Sequence, residues 1–233
     1  MTPTTLIIGS SRGIGYAITK SLLDSNHNVL GISRTKPKLI NPKYKHINLD
    51  VSHTNDLEKF LSQENLNLID NFIICAGTND IAFLNEISIE RITKLYEVNI
   101  WPSFVVLKHI SKNNLSNKSI VLISSIWSTF GIAGRSIYGT SKAALVALAK
   151  HASAELSSKS IFINCISPGF TKTELSYKTA DDHIIKRAMQ RTSINAMQSV
   201  EAISNSLEML LIPRNKGITG QEIFIDSGFS AHA

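Results

Sequence analysis

Apolar runs of strand length alternate with helix-spaced segments along the 233-residue chain, and this alternation constrains the fold more than any single residue does. Runs rich in Ile, Val and Leu occupy residues 4–8, 28–33, 44–49, 71–75, 119–124, 161–167 and 222–225. Apolar residues recur at helical spacing over 14–23, 53–64, 137–156 and 200–212. They do so again over a long stretch, 91–110, with Ser88 as its cap. Several strand runs, such as Leu6-Ile7-Ile8, are continuously apolar. A strand apolar on both faces must be covered on both, which is the pattern of a parallel sheet between helices. The expectation is one α/β domain over 1–233, a doubly wound parallel sheet of the Rossmann type. It should have about seven strands, helices on both faces, and ligands at the carboxyl ends of the strands.

Composition narrows the function classes. A hydrophobic fraction of 43% belongs to a globular chain. The formal net charge is +6, but Lys and Arg are scattered, with no groove-reading helix or aromatic-basic pattern, so no nucleic acid is expected. No apolar run reaches the roughly 18 residues of a spanning helix, and residues 1–9 lack a signal-peptide pattern; no membrane association is expected. Cys75 and Cys165 make no disulfide framework, and a reducing, cytoplasmic location is expected. Cys75 reads as a small buried hydrophobe. No His, Cys and carboxylate cluster suggests a metal.

Gly9-Ser-Ser11-Arg12-Gly13-Ile14-Gly15 follows the first strand and opens the first helix. Glycines let backbone approach a pyrophosphate, and a helix N-terminus offers free N–H groups and a favourable dipole. The spacing is G-x-x-x-G-x-G, not G-x-G-x-x-G. The second strand ends in Ser33-Arg34, where a protein preferring NAD usually carries a carboxylate. Arg34 and Arg12 instead suit the 2′-phosphate of NADP(H), since a guanidinium presents a fork of donors. NAD(H), with both arginines merely solvent-facing, is the alternative.

Tyr138 and Lys142 are four apart in the helix over 137–156 and share a face. A cation beside a phenol favours phenolate, lowering its pKa from near 10 toward the working range. Ser125, thirteen residues before Tyr138, sits where the fifth strand ends and can hydrogen-bond a substrate oxygen. Asn99 lies in Val98-Asn-Ile-Trp-Pro102. Pro102 has no N–H, so the Val98 carbonyl loses its helical partner and the long helix should kink there; such a kink can hold a water near Lys142.

Together these residues resemble the short-chain dehydrogenase/reductase family of single-domain type, and the resemblance covers nearly the whole chain. It rests on Gly9-x-x-x-Gly13-x-Gly15, Asp50-Val51, Cys75-Ala76-Gly77, Asn99, Ser125, Tyr138-x-x-x-Lys142, Pro168-Gly169-x-x-x-Thr173 and Thr219-Gly220…Asp226-Ser-Gly228. The family pattern implies an oxidoreductase that moves a hydride between nicotinamide and a carbonyl or alcohol carbon. Tyr138 would be the acid/base. Lys142 would lower its pKa and hold the ribose, Ser125 would orient the carbonyl, and Asn99 would order a water in a proton relay. The cofactor would lie along the glycine loop with Ser33 and Arg34, with Asp50 and Val51 beside the adenine and Ala76 and Gly77 in the crevice. Pro168, Gly169, Thr171 and Thr173 would face the nicotinamide. Residues 174–195 occupy the substrate-loop position and would form a lid. Trp127 and Phe130 line the pocket or pack in the core. The family also implies a homotetramer or homodimer.

The nearest resemblance is to 3-oxoacyl-[acyl-carrier-protein] reductases, which implies an acyl thioester, carrier-bound, as one substrate; a sugar or small ketone is another. A dinucleotide-sensing protein without turnover is the reading from a different class. The pattern departs from the family at Ile8, where Thr is usual, and at Ile74-Cys75, where Asn-Asn is usual.

Overall fold

The computed structural model describes residues 2–179, 185–186 and 189–232. Seven strands form one parallel sheet: β1 (Thr4–Ile8), β2 (Asn28–Ser33), β3 (Tyr44–Asn48), β4 (Asn71–Ile74), β5 (Lys118–Ile123), β6 (Ile161–Pro168) and β7 (Glu222–Ile225). Their order is β3-β2-β1-β4-β5-β6-β7. The described helices are α1 (Gly13–Asp24), α2 (Thr54–Gln63), α3 (Ile89–Asn99), α4 (Trp101–Lys112), α5 (Ser136–Leu156), α6 (Glu174–Thr179) and α7 (Val200–Glu208). None is long and apolar enough to cross a membrane.

The continuously apolar strands feed two cores, because successive side chains point to opposite faces. In β1, Leu6 and Ile8 pack with β5 residues Ile120 and Leu122 under α2, α4 and α5. Ile7 packs on the other face with Val121 and Ile123, under α1 and α7. Each such fully buried Ile or Leu contributes on the order of 1.5–3 kcal/mol. Strand order reverses between β1 and β4, so a crevice opens at their carboxyl ends.

Two helices differ from their expected extents. The stretch expected as one kinked helix is broken into α3 and α4 at Ile100 (φ −118°, ψ −54°). Pro102 enters α4 near its first turn, where a missing N–H costs nothing, and the Asn99 side chain is tied to backbone outside the helix (below). The helix expected over 200–212 ends at Glu208. Pro213 cannot donate to the Met209 carbonyl, and the Leu210 carbonyl is taken by the Ser119 hydroxyl and the Asn215 amide.

Candidate active site

The glycine loop is built by close approach of β1 and β4. Gly9 has φ +93°, and a Cβ there would lie 2.6 Å from the Ala76 nitrogen, so no larger residue fits. The Arg12 backbone caps α1 without its side chain bonding the helix, and the first turn holds no carboxylate. The N–H groups and dipole of α1 therefore face the crevice uncompensated. Gly13 (φ +55°) comes close to Thr173: a Cβ there would be 3.7 Å from Thr173 Cγ2, so the connection after β6 folds over the loop. Gly15 is buried, Ile14 packs on the α1–α7 core, and Ser11 borders the crevice half-buried. An uncapped helix start beside two arginines fits a dinucleotide pyrophosphate.

Around the end of β2, Ser33 is buried and Arg34 exposed. Arg34 Nη1 stands 3.6 Å from Asp50 Oδ2, and Arg12 Nη1 4.0 Å from Glu174 Oε2, so each guanidinium has a loosely held, solvent-screened acidic neighbour. Burial opposes ionisation of Asp50, but the N–H and O–H of Ser52 and the charge of Arg34 outweigh it and hold the carboxyl below its ordinary range. Sequence reasoning missed the hydroxyls behind this corner. Ser10 Oγ lies 3.3 Å from Tyr44 Oη and 3.5 Å from Ser33 Oγ, and His46 Nε2 is 3.1 Å from Ser33 Oγ. Only the pairing of β3 with β2 brings Tyr44 and His46 there. Val51, expected at the adenine, is 7% exposed and packs in the core. Ala76 also packs against that core.

At the candidate reacting centre, Ser125 follows β5 and caps a short turn, its Oγ accepting from the Trp127 N–H at 3.3 Å. Ser124 pins α5 to β5 by donating to the Lys142 carbonyl at 2.9 Å. Asn99 ends α3 fully buried. Its Oδ1 accepts from Thr78 N at 2.8 Å, and its Nδ2 donates to the Thr78 carbonyl at 3.1 Å and to Ser141 Oγ at 3.0 Å. Ser141 in turn donates to the Tyr138 carbonyl at 2.7 Å. Gly77 separates the groups on which this centre depends, since a Cβ there would be 3.4 Å from Lys142 Nζ and 3.6 Å from Asn99 Oδ1. Four predicted residues, Asn99, Ser125, Tyr138 and Lys142, thus gather at the carboxyl edge of β4 and β5. The links through Thr78, Ser141 and the Ile123 carbonyl were not legible beforehand.

The electrostatics correct one expectation. Tyr138 is not lowered; burial raises its pKa, and the nearby Ser125 hydroxyl and Arg135 charge only partly offset this. Lys142 Nζ sits 5.7 Å from the Tyr138 ring centroid and donates to the Ile123 carbonyl at 2.9 Å. Burial lowers the Lys142 pKa to about 8. The Cys75 thiol is pushed up by burial to about 11 and stays neutral.

Past β6, Gly169 N donates to the Ile225 carbonyl at 3.0 Å, so Pro168 and Gly169 lie against β7. The Thr171 hydroxyl turns back to the Gly169 carbonyl (2.9 Å), and Thr173 Oγ1 accepts from Ser176 N (3.2 Å) at the start of α6. Of the expected lid over 174–195, residues 180–184, 187 and 188 lie outside the described residues. Trp127 and Phe130 join Phe170, Phe224 and Phe229 in a cluster of edge-to-face and tilted rings with centroids 5.5–6.0 Å apart. The buried Phe229 makes this cluster part of the packing beside the site.

A sequence profile described as enoyl-(acyl carrier protein) reductase matches residues 8–230. A 3-oxoacyl-[acyl-carrier-protein] reductase FabG of Buchnera aphidicola subsp. Baizongia pistaciae is 29% identical, over 96% of this chain and 95% of its own. A short chain dehydrogenase family protein from Francisella tularensis superposes with a TM-score of 0.90 at 25% identity, over 99% of this chain and 100% of that one. ElxO with NADP bound superposes with a TM-score of 0.88 at 25% identity, over 99% and 100%. With its sheet order, its glycine loop and a match over almost its full length, the chain belongs to the short-chain dehydrogenase/reductase family and is an oxidoreductase.

Proposed function

We propose that this oxidoreductase uses NADP(H) to interconvert a carbonyl and a secondary alcohol, with Tyr138 as its acid/base. The observation that carries the reading is the meeting of the Ser125 hydroxyl with the Tyr138 phenol at the strand ends, beside Lys142 and Asn99. The nicotinamide, when bound, donates or accepts the hydride. In reduction, Ser125 holds the substrate oxygen and Tyr138 gives it a proton. A phenol kept neutral by burial has that proton available at neutral pH. Lys142, protonated below about pH 8, contributes a fixed positive charge below the phenol and holds the ribose. Asn99 keeps the end of β4 in place against α5 and orders the relay water. A proton delivered beside a hydroxyl suits an oxygen acceptor, which favours carbonyl over enoyl reduction.

Arg12, Arg34 and Ser33 support the 2′-phosphate reading, and ElxO is a structural relative with NADP bound; NAD(H) is the alternative. Gly9, Ser11, Gly13, Ile14 and Gly15 take the pyrophosphate, Asp50 and the backbone of Val51 the adenosine side, Ala76 and Gly77 the middle of the crevice toward Lys142, and Pro168, Gly169, Thr171 and Thr173 the nicotinamide. The FabG relative supports a 3-oxoacyl thioester, free or carrier-bound; a sugar or small ketone is the second reading. The rest of the proposal is a single cytoplasmic domain with a lid over 174–195, assembled as a homotetramer or homodimer.

The test is NADPH oxidation across β-ketoacyl thioesters, keto-sugars and small ketones. Tyr138→Phe should lower turnover by about 10²–10⁴-fold with NADPH affinity and folding retained. Unchanged turnover in that variant refutes the assignment.

A further inference from the structure

We propose that Arg135 anchors an anionic group, a carboxylate or phosphate, carried on the substrate a few bonds from the reacting carbonyl. The inference rests on Tyr138 being the proton donor and names the substrate class that site takes. Arg135 is the residue before α5, one helical turn ahead of Tyr138, and its charge acts on the phenol. The loop 77–82 runs along the same wall. It starts at Gly77, beside Lys142, and ends at Ala82, which bridges to Arg135 and donates to the Gly134 carbonyl at 3.1 Å. Arg135 therefore stands at one end of the wall that Lys142 closes at the other.

Its guanidinium is half-buried, yet among the described residues it has no side-chain hydrogen bond and no carboxylate partner. The acidic residues in and just after that loop are committed elsewhere: Asp80 to a bidentate pair with Arg91, and Glu86 to the Phe83 N–H at 2.9 Å. The first turn of α5 contains no acid. Burial disfavours the charge, but an arginine stays protonated. A partly desolvated cation without a counterion is unfavourable in the folded protein, and such charges are found where a ligand supplies the opposite charge. The loop holds another unmet polar atom, Asn79 Oδ1, buried without a partner. Ile81 and Ile132, exposed at 47% and 45%, flank this end with apolar surface suited to a short carbon skeleton. A neutral thioester offers no charge at this distance. An oxo acid or a phosphorylated ketone does.

The experiment compares C3–C6 oxo acids with their methyl esters, and dihydroxyacetone phosphate with dihydroxyacetone, on wild type, Arg135→Gln and Arg135→Lys. The expected result is a kcat/KM at least 10-fold higher for one anionic member than for its neutral partner, arising mainly in KM. Arg135→Gln should abolish that preference, bringing the ratio of kcat/KM for the anionic over the neutral member to about one, and Arg135→Lys should keep part of it. Equal use of both members by wild type, or a preference unchanged in Arg135→Gln, overturns the proposal. A second arm needs no turnover: malonate and inorganic phosphate are titrated against melting temperature, with chloride at equal ionic strength as control. Saturable stabilisation of wild type by either anion, lost in Arg135→Gln, supports the anchor and says which anion it takes. No stabilisation beyond chloride overturns it. Reduction of no compound, with anion binding intact, would refute the reductase reading alone.

Discussion

Lys142 shows what the proposed reacting centre asks of one residue. An ammonium almost fully buried against a carbonyl, with no carboxylate bonded to it among the described residues, is held charged at a cost to folding. Its folded pKa of about 8 lies below the ordinary value of 10.5, so the unfolded chain binds more protons between those values. The penalty is therefore complete below pH 8 and disappears above pH 10.5. Lys142→Met should be more stable than wild type at pH 7 by roughly 1–3 kcal/mol and inactive, with the stability difference shrinking toward pH 10.5. Urea denaturation of both proteins at pH 7 and 10 checks this; equal midpoints at pH 7 would contradict it. Arg34 carries a separate prediction. Its exposed guanidinium meets Asp50 only loosely and is free to take a 2′-phosphate. Arg34→Ala should raise KM for NADPH by about 10–100-fold, as loss of a charge-assisted pair does, and leave KM for NADH nearly unchanged in initial-rate assays.

At the scale of elements, the break between α3 and α4 matters more than either helix. A kink beside Pro102 follows from a missing N–H, but the clean break follows from Asn99 holding Thr78 from both sides. Pro102 sits near the start of α4, so Pro102→Ala should leave the break and the activity essentially intact. Asn99→Ala should cost about 1–3 kcal/mol by stranding a buried N–H and hydroxyl, and it should lower kcat because the end of β4 beside Lys142 loses its tie. Thermal denaturation and kcat of the two variants distinguish the causes: comparable damage from both would mean the proline makes the break. The motif letters, the cap at Ser88 and the buried face of α2 were readable from local spacing. The Ser10, Ser33, Tyr44 and His46 cluster was not, because its members come from three elements that only the sheet order joins.

For the molecule as a whole, the described outer surface carries an aromatic patch at the junction of α3 and α4. Trp101 and Phe104 on α4 are 40% and 48% exposed; Trp101 meets Tyr96 of α3 edge-on and Phe104 at a tilt, centroids 6.2 Å apart in each pair. A cluster of partly exposed aromatics is the kind of face that a second copy covers. Phe104→Glu should shift the particle to a smaller species in light scattering while leaving the far-ultraviolet circular dichroism unchanged; an unaltered mass would place the contact elsewhere.

The order of apolar runs determined the parallel sheet by itself, since a strand with two greasy faces has no other stable home. The glycine loop, Ser125, Tyr138 and Lys142 were legible too, because each is set by spacing within one element or by where a strand ends. Tertiary structure alone decided the direction in which Tyr138 titrates, the partner Lys142 bonds and the lack of a partner for Arg135 among the described residues. Those properties depend on burial and on side chains brought together across the fold, and no local repeat encodes how much water a group has lost.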